Sequence, residues 1–337
     1  MVITSVGSAF ARFRREHVDL DAGAVDKARK SRDYLQQQIV SLAANARDFP
    51  RLEPDSPPFV ASGSFARSTK IRPLDDIDLF VILDDEGLSQ RPSFWDERLY
   101  YLTPKRSTNS RLAKLTDDSG HVSSTRVLNR FKSALTSVPN YASAGIHRNG
   151  EAVSLKLSSY PWVFDIVPAI PHFSWWTGRV DWYLMPNGQG GWMRSNPRRD
   201  AESTTGVNKS HSGLLLPLVR LVKYWNGKRL RQGLSSYYIE TLCLKVFEYR
   251  SNVTTFQEGM EVFFRKAPSR VRRHCPDPKG LGPRLDLDIG RRTKERIEES
   301  MYEAATTARA ARRAERAGNV AGALEAWRQV FGPEFPG

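Results

Sequence analysis

The sequence predicts an α+β chain in which a mixed lobe with a long N-terminal helix and buried strands is followed by a helical lobe. Three observations carry this. Residues 22–47 repeat apolar side chains at helical spacing (Val25, Ala28, Tyr34, Leu35, Ile39, Leu42) and hold no proline. Short apolar runs at Ile77–Leu83, Ala152–Leu157 and Trp162–Val167 have the length and residue types of strands. From Leu214 onward the apolar spacing is mainly helical. The chain has 337 residues, which suits two domains of ~150 residues each. We divide it into 1–200, the N-terminal helix and mixed lobe, and 201–337, the helical lobe.

The elements follow in order. After the long helix, Phe49–Pro58 is proline-rich and reads as a linker. Phe59-Val60-Ala61 is a short strand that ends at a tight turn, Gly63-Ser64. Ile77–Leu83 is a buried strand, and a mixed helix and loop region follows, with a helix at Thr125–Leu135. The runs 152–157 and 162–167 are joined by Ser158-Ser159-Tyr160-Pro161, a hairpin signal. Residues 172–212, rich in Trp, Gly, Pro and Asn, read as an irregular loop segment. Helices are expected at 214–226, 235–250, 253–266, 290–317 and 320–331, the last two parted by Gly318-Asn319.

Composition excludes several classes. Hydrophobic content of 40% and charged content of 26% are those of an ordinary soluble globular chain. No apolar run approaches the ~18 residues of a membrane span, and the N-terminus reads as no signal peptide. The expected location is cytoplasmic, without membrane contact. Two distant cysteines, Cys243 and Cys275, make neither a disulfide framework nor a zinc knuckle, and the histidines lack metal-ligand spacing. The net charge of +14 favours anionic partners: nucleic acid, acidic lipid or nucleoside triphosphates.

The strongest chemical signal is Gly63-Ser64, eleven residues, then Asp76-Ile77-Asp78. Alternate strand residues share a face, so Asp76 and Asp78 point together and Asp75 away. Two carboxylates on one face of a buried strand repel unless cations lie between them, and magnesium prefers such oxygen ligands. Asp165 is the lone charge in Trp162–Pro168, and a charge is seldom buried without a partner or a metal. Three carboxylates can hold two metal ions about 4 Å apart. The expected ions are two Mg2+, with Mn2+ as a substitute. A Gly-Ser turn adds backbone N–H groups and a hydroxyl for phosphate. By contrast, Asp286-Leu287-Asp288 lacks the preceding Gly-Ser and reads as a surface or capping pair.

A second set lies in the helical lobe. Lys223 sits near the end of one helix and Ser235-Ser236 open the next. A cation and helix-start hydroxyls suit a triphosphate tail, although a solvated lysine and plain helix capping explain them too. Trp175, Trp176, Trp182, Tyr183 and Trp192 could stack bases or form core.

With these residues in hand, the sequence resembles the bacterial cGAS-like nucleotidyltransferases (CD-NTases) of the polymerase-β-like superfamily. The resemblance runs through Gly63–Thr69, Arg72–Asp78, Phe164–Ala169, Asn196-Pro197, Asn208-Lys209, Lys223–Asn226, Ser235–Tyr237 and the closing Ala326–Gly332. It implies a palm domain, a helical lobe, magnesium, and ATP or GTP as substrates. The implied product is a cyclic di- or trinucleotide second messenger for CBASS anti-phage defence, read by a separate downstream effector. The chain is then expected to act as a monomer, and a nucleic-acid activator stays open. By the same resemblance Asp76, Asp78 and Asp165 are catalytic metal ligands, while Gly63, Ser64, Lys223, Ser235 and Ser236 bind nucleotide. Two other readings stand beside it. One is an RNA-directed or linear polymerase, such as a poly(A) or CCA-adding enzyme or a 2′-5′ oligoadenylate synthetase. The other is an inactive sensor on the same scaffold.

Overall fold

The structure, a computed structural model, describes residues 3–105, 110–248 and 253–337. It divides into a sheet unit, 23–66 and 74–200, and a helical unit, 1–22, 67–73 and 201–337. No helix among the described residues is long and apolar enough to cross a membrane.

The sheet unit begins with α2 (Ala22–Asn45), which follows the short α1 (Val6–Phe13) of the other unit. Its buried residues, Ala28, Leu35 and Ile39, repeat at seven and four, which keeps them on one stripe. Arg111 donates to the carbonyls of Ala43, Ala46 and Phe49, placing a cation where the helix dipole is negative. Next come β1 (Phe59–Ala61), the short helical turn α3 (Gly63–Ala66), β2 (Asp76–Ile82), β3 (Ser89–Pro92) and β4 (Leu99–Thr103). α4 (Ser124–Thr136) precedes β5 (Gly145–Asn149), β6 (Ala152–Lys156), β7 (Val163–Phe173), β8 (Val180–Pro186) and β9 (Trp192–Ser195). The sheet runs β1-β2-β7-β8-β9-β4-β3, with the β5-β6 hairpin attached to β7. The long strand β7 joins the two halves: its first part pairs with β2 and β6, its last part with β8.

Three expectations fail here. The segment 172–212 is ordered: it holds β8, β9 and α5 (Pro197–Ser210). Gly188 and Gly190 take positive φ in the β8–β9 turn, while the Asn187 side chain accepts the N–H groups of Gln189 and Gly191. The mixed helix and loop region contains β3, β4 and β5. The turn after β1 becomes the helical turn α3.

The helical unit contains α6 (Leu215–Arg229), α7 (Ser236–Phe247), α8 (Phe256–Lys266), α9 (Pro268–Val271), α10 (Arg291–Arg316) and α11 (Val320–Phe331). Residues 249 and 250, the end of the helix expected over 235–250, lie outside the described residues. Phe10 and Phe13 of α1 are fully buried and touch Phe331 and Phe335 with ring centroids 5.0–5.7 Å apart. Residues 67–73 group with these helices through their backbone: Arg72 N–H donates to Val18 O, and Arg220 donates to Ser68 O.

Candidate active site

In the parallel β2–β7 pair, Asp78 lies beside Asp165 and Asp76 beside Val163. Side chains of directly paired residues share a sheet face, so Asp76, Asp78 and Asp165 all point one way. On β6 the residue paired with Asp165 is Ser154. Its buried Oγ donates to Asp165 Oδ1 at 2.5 Å, which fixes that carboxylate. Farther along the same face lie Phe80, Ile82, Val167, Ala169 and Ala152, packed with Val60 and Tyr183 in one apolar cluster. The three half-buried carboxylates therefore end an apolar surface. Unit charges on adjacent strands, about 5 Å apart, repel by roughly 3 kcal/mol at an effective dielectric of ~20.

Gly63 abuts the central carboxylate. Its φ is +71°, and a Cβ built there would stand 1.6 Å from Asp78 Oδ2. Only a residue without a side chain fits this approach. Ser64 follows in α3, in the same unit. The sheet unit thus brings together five of the predicted residues. All three aspartates offer hard oxygen donors, the type magnesium takes. Among the described residues no group of three acidic, His or Cys side chains is gathered as a ligand shell.

Lys223, Ser235 and Ser236 belong to the helical unit. Lys223 is not solvent-facing: it is 5% exposed, and its Nζ donates to Glu240 Oε1 at 2.6 Å. Arg67, three residues past Ser64, donates to the other oxygen, Glu240 Oε2, at 2.7 Å. Burial opposes the charge of Glu240, but Arg67 and Lys223 outweigh it and hold the carboxyl below the usual range. Burial draws the Lys223 ammonium below an ordinary lysine, against the pull of Glu240. Ser235 is the N-cap of α7, accepting Tyr238 N–H at 3.3 Å, and Ser236 is the exposed first residue of the helix.

Sequence reasoning missed Arg67 and Glu240. The signal for Glu240 was present: it is the one charge inside Tyr238–Leu244, the same argument that found Asp165. Glu240→Gln leaves two buried cations without their anion. We expect urea denaturation to report a loss of about 3–5 kcal/mol. Lys223→Met should cost less, because Glu240 keeps Arg67. Because the depressed Glu240 pKa favours the folded state above the ordinary carboxylate pKa, its contribution fades as pH falls through that lowered value.

Two other expectations are corrected or divided. Asp286 is no surface residue: it is buried and accepts from Lys294, Arg284 and Cys275 N–H, while Asp288 is exposed. The aromatic set splits. Tyr183 and Trp192 are core, Trp192 Nε1 donating to Val122 O, and Trp182 stacks on His172. Trp175 and Trp176 are exposed.

No family model matches the chain. It is 35% identical over 336 residues, 99% of each chain, to a probable cyclic nucleotide synthase of Bacillus cereus (strain VD146). It is 22% identical over 260 residues, 75% of this chain and 68% of the other, to a cyclic AMP-AMP-AMP synthase of Escherichia coli (strain MS 115-1). Among solved structures, E. coli MS115-1 CdnC in its complex with HORMA-deltaN superposes with a TM-score of 0.69 at 18% identity, covering 99% of both chains. Vibrio cholerae DncV, a cyclic AMP-GMP synthase, gives 0.66 at 12% identity, covering 99% and 98%. At these identities the two structures show the fold, which is the α+β polymerase-β-like one.

Proposed function

Because the chain belongs to the bacterial CD-NTase family of cyclic nucleotide synthases, nucleotidyltransferases by chemistry, we propose that it joins ATP, GTP or both into a cyclic di- or trinucleotide with release of pyrophosphate. The product would be a second messenger for anti-phage signalling, read by a separate effector. The chain would act in the cytoplasm as a monomer. The observation that carries this reading is the pairing of Asp78 with Asp165 across β2 and β7, with Asp76 on the same face.

Each residue has a task in this reading. Asp76, Asp78 and Asp165 are the ligands for two Mg2+, which Mn2+ can replace. When bound, such ions neutralise phosphate charge and lower the pKa of the attacking hydroxyl. Asp165 lies nearest the nucleophile and helps take its proton. Gly63 lets the backbone approach the donor nucleotide, and the Ser64 hydroxyl adds a hydrogen bond to its phosphates. Lys223, Ser235 and Ser236 are assigned to the triphosphate tail. Lys223 is already paired with Glu240 and Ser235 already caps α7.

The test is incubation of the purified chain with all four triphosphates and Mg2+, then phosphatase and mass spectrometry. A phosphatase-resistant product with no free ends supports the reading, and its mass gives ring size and bases. A ladder of linear products, or synthesis only on added RNA, points to the RNA-directed or linear polymerase.

Ser154 is a positioning residue in this account, acting through Asp165. Ser154→Ala should lower kcat by about 10–100-fold with little change in KM for ATP. Ser154→Thr, which keeps the hydroxyl, should restore most of the rate. A purely structural serine would leave kcat unchanged in folded protein.

A further inference from the structure

The helical unit carries a cavity of about 480 Å³ whose residues have no task in the reaction above. Its walls hold Arg272, His274, Arg284, Asp286, Arg291 and Lys294. Asp286 lies at its base, fully buried, and gathers the cations: Lys294 Nζ at 2.6 Å, Arg284 Nε at 3.3 Å and His274 Nδ1 at 3.4 Å. The carboxyl also accepts Cys275 N–H at 2.8 Å. Burial opposes its charge, but the bonds from Lys294 and Cys275 outweigh this and keep it ionised. Arg291 pairs with Glu295 and Arg272 with Glu298. Four permanent cations thus meet three carboxylates, Asp286, Glu295 and Glu298, with His274 beside them.

The start of α10 sharpens the imbalance. Gly290 caps this 26-residue helix without any side-chain hydrogen bond, and its first turn holds no acidic residue. Instead it holds Arg291, Arg292 and Lys294. Cations at a helix N-terminus oppose the macrodipole, which there favours an anion. Nothing lies within 4 Å of where a Cβ on Gly290 would stand. A chain that only needed a stable helix end would carry acidic or capping residues here.

We propose that this cavity binds a small phosphorylated ligand carrying several negative charges. Its volume falls within the range of small-molecule sites, roughly 300–1,000 Å³. Guanidinium forks suit phosphate oxygens. The carboxylates of Asp286, Glu295 and Glu298 among the cations disfavour an extended polyanion laid across the surface and favour a compact one seated between them.

The experiment is calorimetric titration of the full chain with inorganic tripolyphosphate in EDTA. It compares the unaltered protein, Arg284→Glu/Arg291→Glu, and Ser64→Ala, whose side chain belongs to the proposed nucleotide site. We expect the double variant to bind at least about tenfold more weakly and Ser64→Ala to bind as the unaltered protein does. Should the charge reversals disturb folding, Arg291→Ala and His274→Ala, both at well-exposed side chains, give the same comparison with a smaller loss. Equal binding by all pocket variants overturns the proposal, since the cations would then serve Asp286 alone. Tighter binding of a 20-base-pair DNA duplex than of tripolyphosphate, lost in the same variants, overturns the ligand class.

Discussion

Product formation by Asp76→Asn/Asp78→Asn is expected to fall at least ~10³-fold, because several kcal/mol of charge stabilisation disappears with the two carboxylates. Asparagine keeps the volume and removes only the charge, so the fold should survive. The sign of the stability change is informative. Without a divalent ion the three carboxylates repel one another across β2 and β7. Removing two of those charges should leave the melting temperature in EDTA equal or higher. Aspartates that only supported the sheet would give the opposite pattern, with lost stability and retained rate. An inactive sensor would lose neither binding nor any measurable turnover. The checks are a pyrophosphate-release assay and thermal denaturation of the same preparations.

Gly63→Ala should be nearly as damaging to the rate, for a different reason. The new methyl group would fall 1.6 Å from Asp78 Oδ2, so the carboxylate must leave its position. The φ of +71° adds backbone strain of about 1–2 kcal/mol for any residue with a Cβ. Gly120 and Gly150 provide the control. Both have positive φ, +76° and +55°, yet neither has an atom within 4 Å of the Cβ site. Alanine at either should cost comparable stability and leave turnover intact. If Gly63→Ala matched these controls in activity, the close approach of Gly63 to Asp78 would have no part in the reaction.

Much of this site was legible in the sequence because strand parity is strict. Asp76 and Asp78 had to share a face once Ile77–Leu83 was read as a strand, and Asp165 stood out as the only charge in an apolar run. The strand partners were not legible: nothing in the sequence aligns Asp165 with Asp78 rather than with Asp76, and the buried Ser154 that holds Asp165 looks like any hairpin serine. The segment 172–212 was misread because its strands are short and its turn residues dense. Asn196-Pro197 nevertheless marks a helix start, with Asn196 Oδ1 accepting Arg199 N–H at 3.1 Å and proline at the first helical position. Asp286 was misjudged because its partners, His274, Arg284 and Lys294, are scattered over some twenty residues and meet only in the fold. Long helices fared best: α2, α10 and α11 lie within two residues of the ranges that periodicity predicts.

The most direct test of the central claim is anomalous diffraction from crystals grown with Mn2+ and a non-hydrolysable ATP analogue. Two manganese peaks about 4 Å apart are expected, ligated by Asp76, Asp78 and Asp165, with the analogue's phosphates on the Ser64 side. Manganese found on the analogue alone, with Asp165 still bonded to Ser154 and Asp78 still against Gly63 and no metal between them, would contradict it.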